Sequence, residues 1–464
     1  MVLKWLQTAD SFLWGPGTLV LLVGTGVFLA VRTRFLPWRN LGYALRAALG
    51  REARRKTKDG DVTPFASLMT ALAATIGTGN IVGVATALVA GGPGALVWME
   101  LAALAGLSTK LSECLLAVKF RSRNRRGQMS GGPMYVMRDG LGLGRLGAAM
   151  GAAYALFAVC SSFGIGGMAQ ANSIAGAVEA SLGVPVYITA LATAGLALAV
   201  ILGGVQSVAQ ASAAIVPLMA ALYLGAALAA LWSCRTNLPA GISLIFRCAL
   251  SPRAAAGAAA GTAAVSVRDA VRWGVARGVF SNEAGMGSAG ISAASAATNS
   301  PARQGYIGMT GAFFDTCVVC TVTGLVICCS GALGTPDSTG RAVDGAALTI
   351  LAFRSALGPA GGLLVSVSVV LFAFTSILGG AYQGERAFEY LFGSRCLMAY
   401  RLAFALAVLW GAVAELEAVF GFSDICNALM CLPNLLCLLL LSGVVARELE
   451  LFQPEVRRKR RKTL

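Results

Sequence analysis

Long apolar stretches recur along almost the whole chain, and they restrict it to a membrane environment. Of the 464 residues, 57% are hydrophobic and 12% are charged, whereas soluble domains carry about 25% charged residues. A transmembrane helix needs about 20 apolar residues. This window predicts eleven spans, near 12–31, 64–90, 94–118, 147–178, 184–204, 209–232, 270–290, 304–333, 359–392, 397–415 and 419–445. We therefore expect an all-α polytopic protein that is multi-pass in a bacterial-type inner or plasma membrane.

The basic residues predict the orientation of these spans. The net charge is +16, but Lys and Arg concentrate at 32–58, at 119–126 and in the C-terminal run 457–462. With eleven spans these regions share one side, and positive loops favour the cytoplasm. The N-terminus should therefore lie outside and the C-terminus in the cytoplasm, with no nucleic-acid partner. The polybasic tail has two interpretations: it contacts membrane lipid through anionic head groups, or it is a disordered topology anchor, which is favoured.

The composition argues against an enzyme. The chain has no histidine, which removes His-based catalysis and His metal sites. It also has no GxxxxGK[ST] loop for ATP. An ion gradient is therefore the expected driving force.

The second apolar segment is interrupted near its middle by Gly77-Thr78-Gly79-Asn80. Glycine lowers helix propensity, and the Asn amide needs hydrogen-bond partners in hydrocarbon. Irregular backbone at membrane depth is tolerated only where it is buried in protein or lines a cavity. This break therefore predicts a binding site.

A second break, Arg277 to Ser288, lies five spans later. Spans two to six and seven to eleven then form two five-helix units of opposite orientation, which is typical of secondary transporters. The predicted regions are an extra helix and basic loop, a first repeat, an external loop, a second repeat and a basic tail, at 1–59, 60–233, 234–269, 270–446 and 447–464.

Several stretches resemble the alanine/glycine:cation symporter family, also called the sodium:alanine symporters. The main ones are ATIGTGNIVGVATALVAGGPGALVWMELAALAGLSTKLSECLLAVKFR at 74–121, RGVFSNEAGMGSA at 277–289 and FAFTSILGGAYQGERAFEYLFG at 372–393. The resemblance covers about residues 60 to 440. It implies a leucine-transporter-type inverted repeat that carries a small neutral amino acid together with Na⁺.

The resemblance also implies site residues. The substrate would contact Gly77, Thr78, Gly79 and Asn80 on the second span, Gln170 on the fourth and Phe280 on the seventh. By analogy with the fold, Na⁺ as coupling ion would be bound by the carbonyls of Ala73 and Ile76 and by the hydroxyls of Thr375 and Ser376.

The chain departs from the family in the ninth span, where Gly379-Gly380 replaces the usual Gly-Trp. We expect the missing indole at Gly380 to leave room for a side chain larger than that of alanine, or to weaken the grip on alanine. Proton coupling through Glu283, a broader glutamine-like substrate range and a non-transporting amino-acid sensor remain alternatives.

Overall fold

The computed structural model describes residues 2–56, 60–250, 266–336, 340–414 and 417–461. Almost all regular structure in these ranges is helical. Two short antiparallel strands, Ser122–Arg123 and Met129–Ser130, form the exception. The expected all-α class is confirmed.

The chain up to residue 250 contains the extra N-terminal helices and a first set of spans. The elements are α1 (Val2–Leu13), α2 (Pro16–Arg32), α3 (Leu36–Arg39), α4 (Leu41–Leu49), α5 (Pro64–Thr75), α6 (Val82–Gly91), α7 (Ala95–Lys119), α8 (Pro133–Tyr135), α9 (Arg145–Ser161), α10 (Ala169–Leu182), α11 (Val186–Leu202), α12 (Gly204–Ser233) and α13 (Leu238–Leu250). Short 3₁₀ turns cover Arg51–Arg54 and Thr78–Asn80.

The second set of spans follows the same order. Its elements are α14 (Val267–Asn282), α15 (Ser288–Ala294), α16 (Pro301–Ala312), α17 (Thr321–Cys329), α18 (Gly345–Leu357), α19 (Pro359–Phe392), α20 (Leu397–Val413), α21 (Glu417–Leu440) and α22 (Ser442–Arg461). In each set a broken helix comes first and four further spans follow. The connection after the second span carries extra helix in both sets.

Within the described residues, eight helices are long and apolar enough to cross a membrane, or nine if α5 and α6 count as one bent span. The other two of the eleven expected spans are also helical. α11 has only 17 residues, and the seventh span is divided between α14 and α15. The predicted external loop 234–269 begins with helix α13, and residues 251–265 lie outside the described part.

Helix α7 is the central packing element, because close backbone contacts surround it. A Cβ on Gly274 of α14 would lie 2.3 Å from the Ala95 carbonyl oxygen, and one on Gly305 of α16 would lie 2.9 Å from that of Leu111. Small residues let membrane helices approach this closely. α7 is thereby held closely against α14, which leads into the second break, and against α16.

Two spans contain π-helical turns, Ser162–Met168 between α9 and α10 and Phe313–Cys320 between α16 and α17. Such turns release carbonyl groups and are frequent at functional sites. Both lie beside the site described below.

The C-terminal region differs from the favoured expectation. Instead of a disordered anchor, the chain continues as the regular helix α22 to Arg461, and residues 462–464 lie outside the described part. Arg457 and Arg458 of α22 are therefore exposed on a regular helix.

Candidate functional site

The first predicted break is present. α5 and α6 meet at 63°. The helical ladder ends with the bond from Ile76 N–H to Leu72 O, and the next amide, that of Gly77, donates instead to Asn80 Oδ1 at 3.0 Å. The Ala73 carbonyl consequently loses the amide that would bond to it within a helix.

The amides inside this break are left open. Asn80 N–H bonds to Gly77 O at 3.3 Å, and Ile81 N–H bonds to Thr78 O at 3.2 Å. The N–H groups of Thr78 and Gly79 have no partner among the described residues. Thr78 and Gly79 are half-buried and lie in the turn that leads into α6, so their two free donors offer a place for an anionic group.

Asn80 lies behind the break rather than at its open face. Its side chain is fully buried, and Nδ2 donates to Asp315 Oδ1 at 2.8 Å and to Asp315 O at 3.0 Å. With Oδ1 held by Gly77, both ends of the amide are used inside the protein. Asn80 thus fixes the shape of the break instead of offering its side chain to a ligand.

Asp315 belongs to the eighth span, but it does not cap the start of that span. It lies in the π-helical turn in the middle of the span and is fully buried. Its Oδ2 accepts from Ser281 Oγ at 2.9 Å and from Thr316 Oγ1 at 2.8 Å. Asp315 therefore links the first break, α14 and the eighth span.

A narrow polar cavity of about 60 Å³ lies beside the first break. Ser376 Oγ and Gln383 Nε2 are buried there without a hydrogen-bond partner among the described residues. Its other polar lining residues are Ser161, Ser162, Gln170, Glu283, Ser288 and Asn427. A buried polar atom without a hydrogen-bond partner is unfavourable. Two such atoms in one polar cavity therefore indicate a site for a ligand.

The predicted residue Gln170 lines this cavity and contacts the predicted residue Thr78 of the first break. Gln170 Oε1 accepts from Thr78 Oγ1 at 3.2 Å. Gln170 Nε2 donates to Ile165 O, which belongs to the π-helical turn, also at 3.2 Å. The fourth span thereby reaches the first break.

The four residues predicted to bind Na⁺ lie where α5 meets α19, and two have distinct surroundings. Ser376 Oγ lies close to Gly77, since a Cβ added to Gly77 would be 2.5 Å from this oxygen. Thr375 Oγ1 instead bonds to Phe372 O at 3.0 Å and Met219 Sδ at 3.3 Å. Ala73 and Ile76 are buried at the end of α5.

The absence of a side chain at Gly380 does not create extra space for a substrate. A Cβ on Gly380 would lie 2.9 Å from Gly166 Cα, and one on Gly379 would lie 2.5 Å from Ala74 N. The backbones of α19 and of the π-helical turn fill the space that an indole would need. The expectation of a wider pocket from the missing indole is not met at this position.

Phe280 and Gly79 stand apart from the cavity. Phe280 is half-buried, and the Arg277 guanidinium lies 5.8 Å from its ring centroid. Gly79 faces Ser281, whose Cα would lie 3.7 Å from a Cβ at residue 79. Neither residue lines the cavity as it stands.

The second predicted break, residues 283–287, is also present, but its amides are all paired. Gly285 and Gly287 N–H donate to Glu113 Oε1 at 2.9 and 3.0 Å, and Ala284 N–H donates to Asn282 Oδ1 at 2.9 Å. Met286 N–H bonds to Glu283 O at 3.2 Å. The protein thus fills this break with its own carboxylate.

Three carbonyls of this segment are paired as well. Asn434 Nδ2 donates to Gly285 O at 2.8 Å and to Glu113 Oε1 at 2.9 Å. Tyr154 OH donates to Met286 O at 2.9 Å, and Gly290 N–H donates to Gly287 O at 3.0 Å. The second break is therefore a closed structural unit.

Two acidic residues at this break have partners that sequence spacing does not reveal. Lys110 lies one turn before Glu113, and this i,i+3 spacing predicts an ion pair, but the two form none among the described residues, because Glu113 bonds to backbone amides instead. The Glu283 carboxylate accepts a hydrogen bond from Ser288 Oγ of α15. It thus joins the two halves of the broken helix.

Sequence reasoning missed the roles of Asp315, Glu113 and Gln383. A usable signal existed for the acids, because ionisable residues within membrane spans are unfavourable and usually functional or internally bonded. Gln383 lies two turns after Ser376 on α19, but the π-helical turns that shape the opposite wall have no sequence signature.

Comparisons with known proteins identify relatives over the full length. A family model described as the sodium:alanine symporter family matches residues 1–464. A sodium/alanine symporter of Methanococcus maripaludis is 47% identical over 453 residues, covering 98% of this chain and 97% of that protein. An uncharacterised transporter of Haemophilus influenzae is 47% identical over 445 residues, covering 96% and 94%. A probable sodium/glutamine symporter of Bacillus subtilis is 34% identical over 441 residues, covering 94% and 88%.

Proposed function

The chain belongs to the sodium:alanine symporter family, and we propose that it is a Na⁺-coupled symporter of a small neutral amino acid that works by alternating access. It is a transporter rather than an enzyme, as its relatives are. The observation that supports this proposal most is the pair of unpartnered amides at Thr78 and Gly79 inside the first break.

The substrate carboxylate binds these two amides. They lie at the N-terminal end of α6, where the helix dipole also favours negative charge. Glu113 supplies the carboxylate at the second break, whereas the amides of the first break bond to no carboxylate of the described residues. The substrate therefore makes at the first break the interaction that the second break makes internally.

The ammonium group needs acceptors, and the cavity supplies them. Gln170 Oε1 already approaches the break, and Glu283 and Asn427 line the same cavity. The cavity is narrow, with a volume of about 60 Å³. Binding an amino acid therefore includes widening this space, which is the movement expected in alternating access.

Na⁺ binds next to the substrate, at Ala73, Ile76, Thr375 and Ser376. The Ala73 carbonyl has lost its helical amide, and Ser376 Oγ has no hydrogen-bond partner among the described residues. Thr375 donates its proton to Phe372 O and keeps oxygen lone pairs for a cation. Oxygen-only ligands suit a hard ion such as Na⁺.

A glutamine-like substrate is the second candidate, favoured by the 34% identity to a probable sodium/glutamine symporter. The contact of Gly380 with Gly166 argues for the smaller substrate, because it narrows the cavity. For the orientation we keep the N-terminus outside and the C-terminus in the cytoplasm, on the distribution of basic residues.

Uptake into proteoliposomes tests the function. Radiolabelled alanine, glycine and glutamine are offered under an inward Na⁺ gradient, an inward proton gradient with K⁺, or neither. We expect concentrative alanine uptake with Na⁺ alone. Uptake that follows the proton gradient and ignores Na⁺ would overturn the proposed coupling, and binding without uptake or counterflow would favour a sensor.

A further inference from the structure

A second and much larger cavity lies away from the transport site. It has a volume of about 1020 Å³ and opens between α4, the turn Arg51–Arg54 and the C-terminal helix α22. Five cationic side chains line it, namely Arg39, Arg46, Arg51, Arg458 and Lys459. We call it the basic groove.

The carboxylates of the basic groove are already paired. Glu52 Oε2 lies 2.5 Å from Lys459 Nζ and 2.7 Å from an Arg303 nitrogen, and Glu455 lies 3.6 Å from Lys459. The hydrogen bond from Lys459 holds the pKa of Glu52 below its ordinary value. Glu52 therefore stays ionised and bound to these two cations, and it does not neutralise the arginines.

Three of these arginines have no such partner. The side chains of Arg39, Arg51 and Arg458 are exposed and make no ion pair or hydrogen bond with the described residues. They converge on one groove from α3, from the 51–54 turn and from α22. Guanidinium groups bind phosphate oxygens in a bidentate manner, so this arrangement fits a phosphate ligand.

The surroundings favour a lipid over a soluble anion. Phe35, Trp38 and Leu49, on or beside the same short helices, are 43%, 42% and 53% exposed. The Trp38 indole N–H bonds to Leu104 O of α7 while its ring stays exposed. Exposed aromatic residues with one polar anchor are typical of the membrane–water interface. Tyr43 adds apolar wall within the groove.

We propose that the basic groove binds the head group of an anionic phospholipid, with Arg39, Arg51 and Arg458 as its phosphate ligands. The lipid then bridges the α3–α4 segment, which leads into the first broken helix, and the C-terminal helix. This proposal is independent of the transported substrate.

The test uses the full-length protein, delipidated in a neutral detergent. Native mass spectrometry and thermal unfolding follow the titration with short-chain phosphatidylglycerol, with short-chain phosphatidylcholine, and with inorganic phosphate. The groove variant Arg39→Gln/Arg51→Gln/Arg458→Gln is compared with Arg55→Gln/Arg125→Gln/Arg395→Gln. The control removes the same charge from exposed arginines outside the groove.

Phosphatidylglycerol should bind the wild type and the control and raise their unfolding temperatures, whereas phosphatidylcholine should not. The groove variant should bind phosphatidylglycerol about 100-fold more weakly, because each basic residue near an anionic surface contributes about 1 kcal/mol and 1.4 kcal/mol is tenfold. Equal weakening in both variants would overturn the site. Full stabilisation by inorganic phosphate would overturn the assignment to a lipid.

Discussion

The two broken helices differ in whether the protein itself supplies hydrogen-bond partners for their backbone amides. At residues 283–287 every amide from Ala284 to Gly287 has a partner in the protein, and Glu113 accepts two of them. At residues 77–80 the outer amides are paired, whereas those of Thr78 and Gly79 find no partner in the described part of the chain.

We interpret the second break as a structural scaffold and the first break as the binding site. Both breaks present backbone donors within a membrane bundle, and a carboxylate can accept from them. One carboxylate is built in, and the other arrives with the substrate under our proposal. The second break can therefore be rigid, while the first is complete only when it is loaded.

The largest expected effect comes from removing the carboxylate of the second break. Glu113→Ala leaves the Gly285 and Gly287 amides without an acceptor and removes one of the two hydrogen bonds of Asn434 Nδ2. Each unsatisfied buried group is unfavourable by about 1–3 kcal/mol, so the loss should be at least about 2 kcal/mol. The unfolding temperature in detergent should fall steeply. Ser112→Ala, whose hydroxyl bonds to Ser108 O within its own helix, is the control, and equal unfolding temperatures would contradict the scaffold role.

Next in size is the loss of the clamp behind the first break. Asn80→Leu removes the acceptor of Gly77 N–H and the donor to Asp315. A hydrogen bond to a charged group is worth about 1.5–3 kcal/mol, so alanine uptake should fall about 100-fold. Asn172→Leu removes a part-buried amide bonded to Gly411 O instead, and it should transport normally. Normal uptake by the Asn80 variant would remove the first break from the mechanism.

A smaller effect is expected from the unpartnered hydroxyl beside the break. Ser376→Ala breaks no hydrogen bond of the described residues, so the unfolding temperature without Na⁺ should not change. The Na⁺ concentration for half-maximal uptake should rise about tenfold if one ion contact of about 1.5 kcal/mol is lost. Ser366→Ala on the same helix, whose hydroxyl bonds to Gly362 O, should leave the Na⁺ dependence unchanged. An unaltered Na⁺ dependence in the Ser376 variant would argue against ligation there.

The smallest expected effect concerns the rim of the first break. Thr78→Val deletes the bond to Gln170 Oε1, a neutral hydrogen bond worth about 0.5–1.5 kcal/mol. The KM for alanine should rise about fivefold with little change in maximal rate. Thr86→Val, whose hydroxyl bonds to Val82 O on the same helix, provides the comparison. Equal KM values for Thr78→Val and Thr86→Val would show that the hydrogen bond from Thr78 does not contribute to substrate binding.

The sequence predicted both breaks because glycine and Asn weaken a helix and are unfavourable in hydrocarbon unless the protein gives them a role. Through the family resemblance, the sequence also predicted Gln170 and Ser376 as site residues, and both line the same cavity. It could not predict that Asn80 faces Asp315, because that contact depends on a π-helical turn 235 residues away. It equally could not predict that Gly380 meets the backbone of Gly166, since a close helix approach is a property of two distant segments.

The same limit applies to Glu113. Its neighbour Lys110 offered a local partner at helical spacing, which is the simplest interpretation of the sequence alone. In the folded protein Glu113 Oε1 instead accepts hydrogen bonds from the backbone amides of Gly285 and Gly287, which are distant in sequence. Tertiary hydrogen bonds therefore replaced the predicted ion pair.

Amide hydrogen exchange resolved to single residues tests the contrast between the breaks most directly. The protein is compared without additions, with Na⁺ alone, with alanine in K⁺, and with both alanine and Na⁺. We predict that the Thr78 and Gly79 amides exchange fast except when alanine and Na⁺ are present together, while the Gly285 and Gly287 amides stay protected throughout. Thr78 and Gly79 amides that are protected without substrate, or that remain unprotected with alanine and Na⁺, would contradict the account.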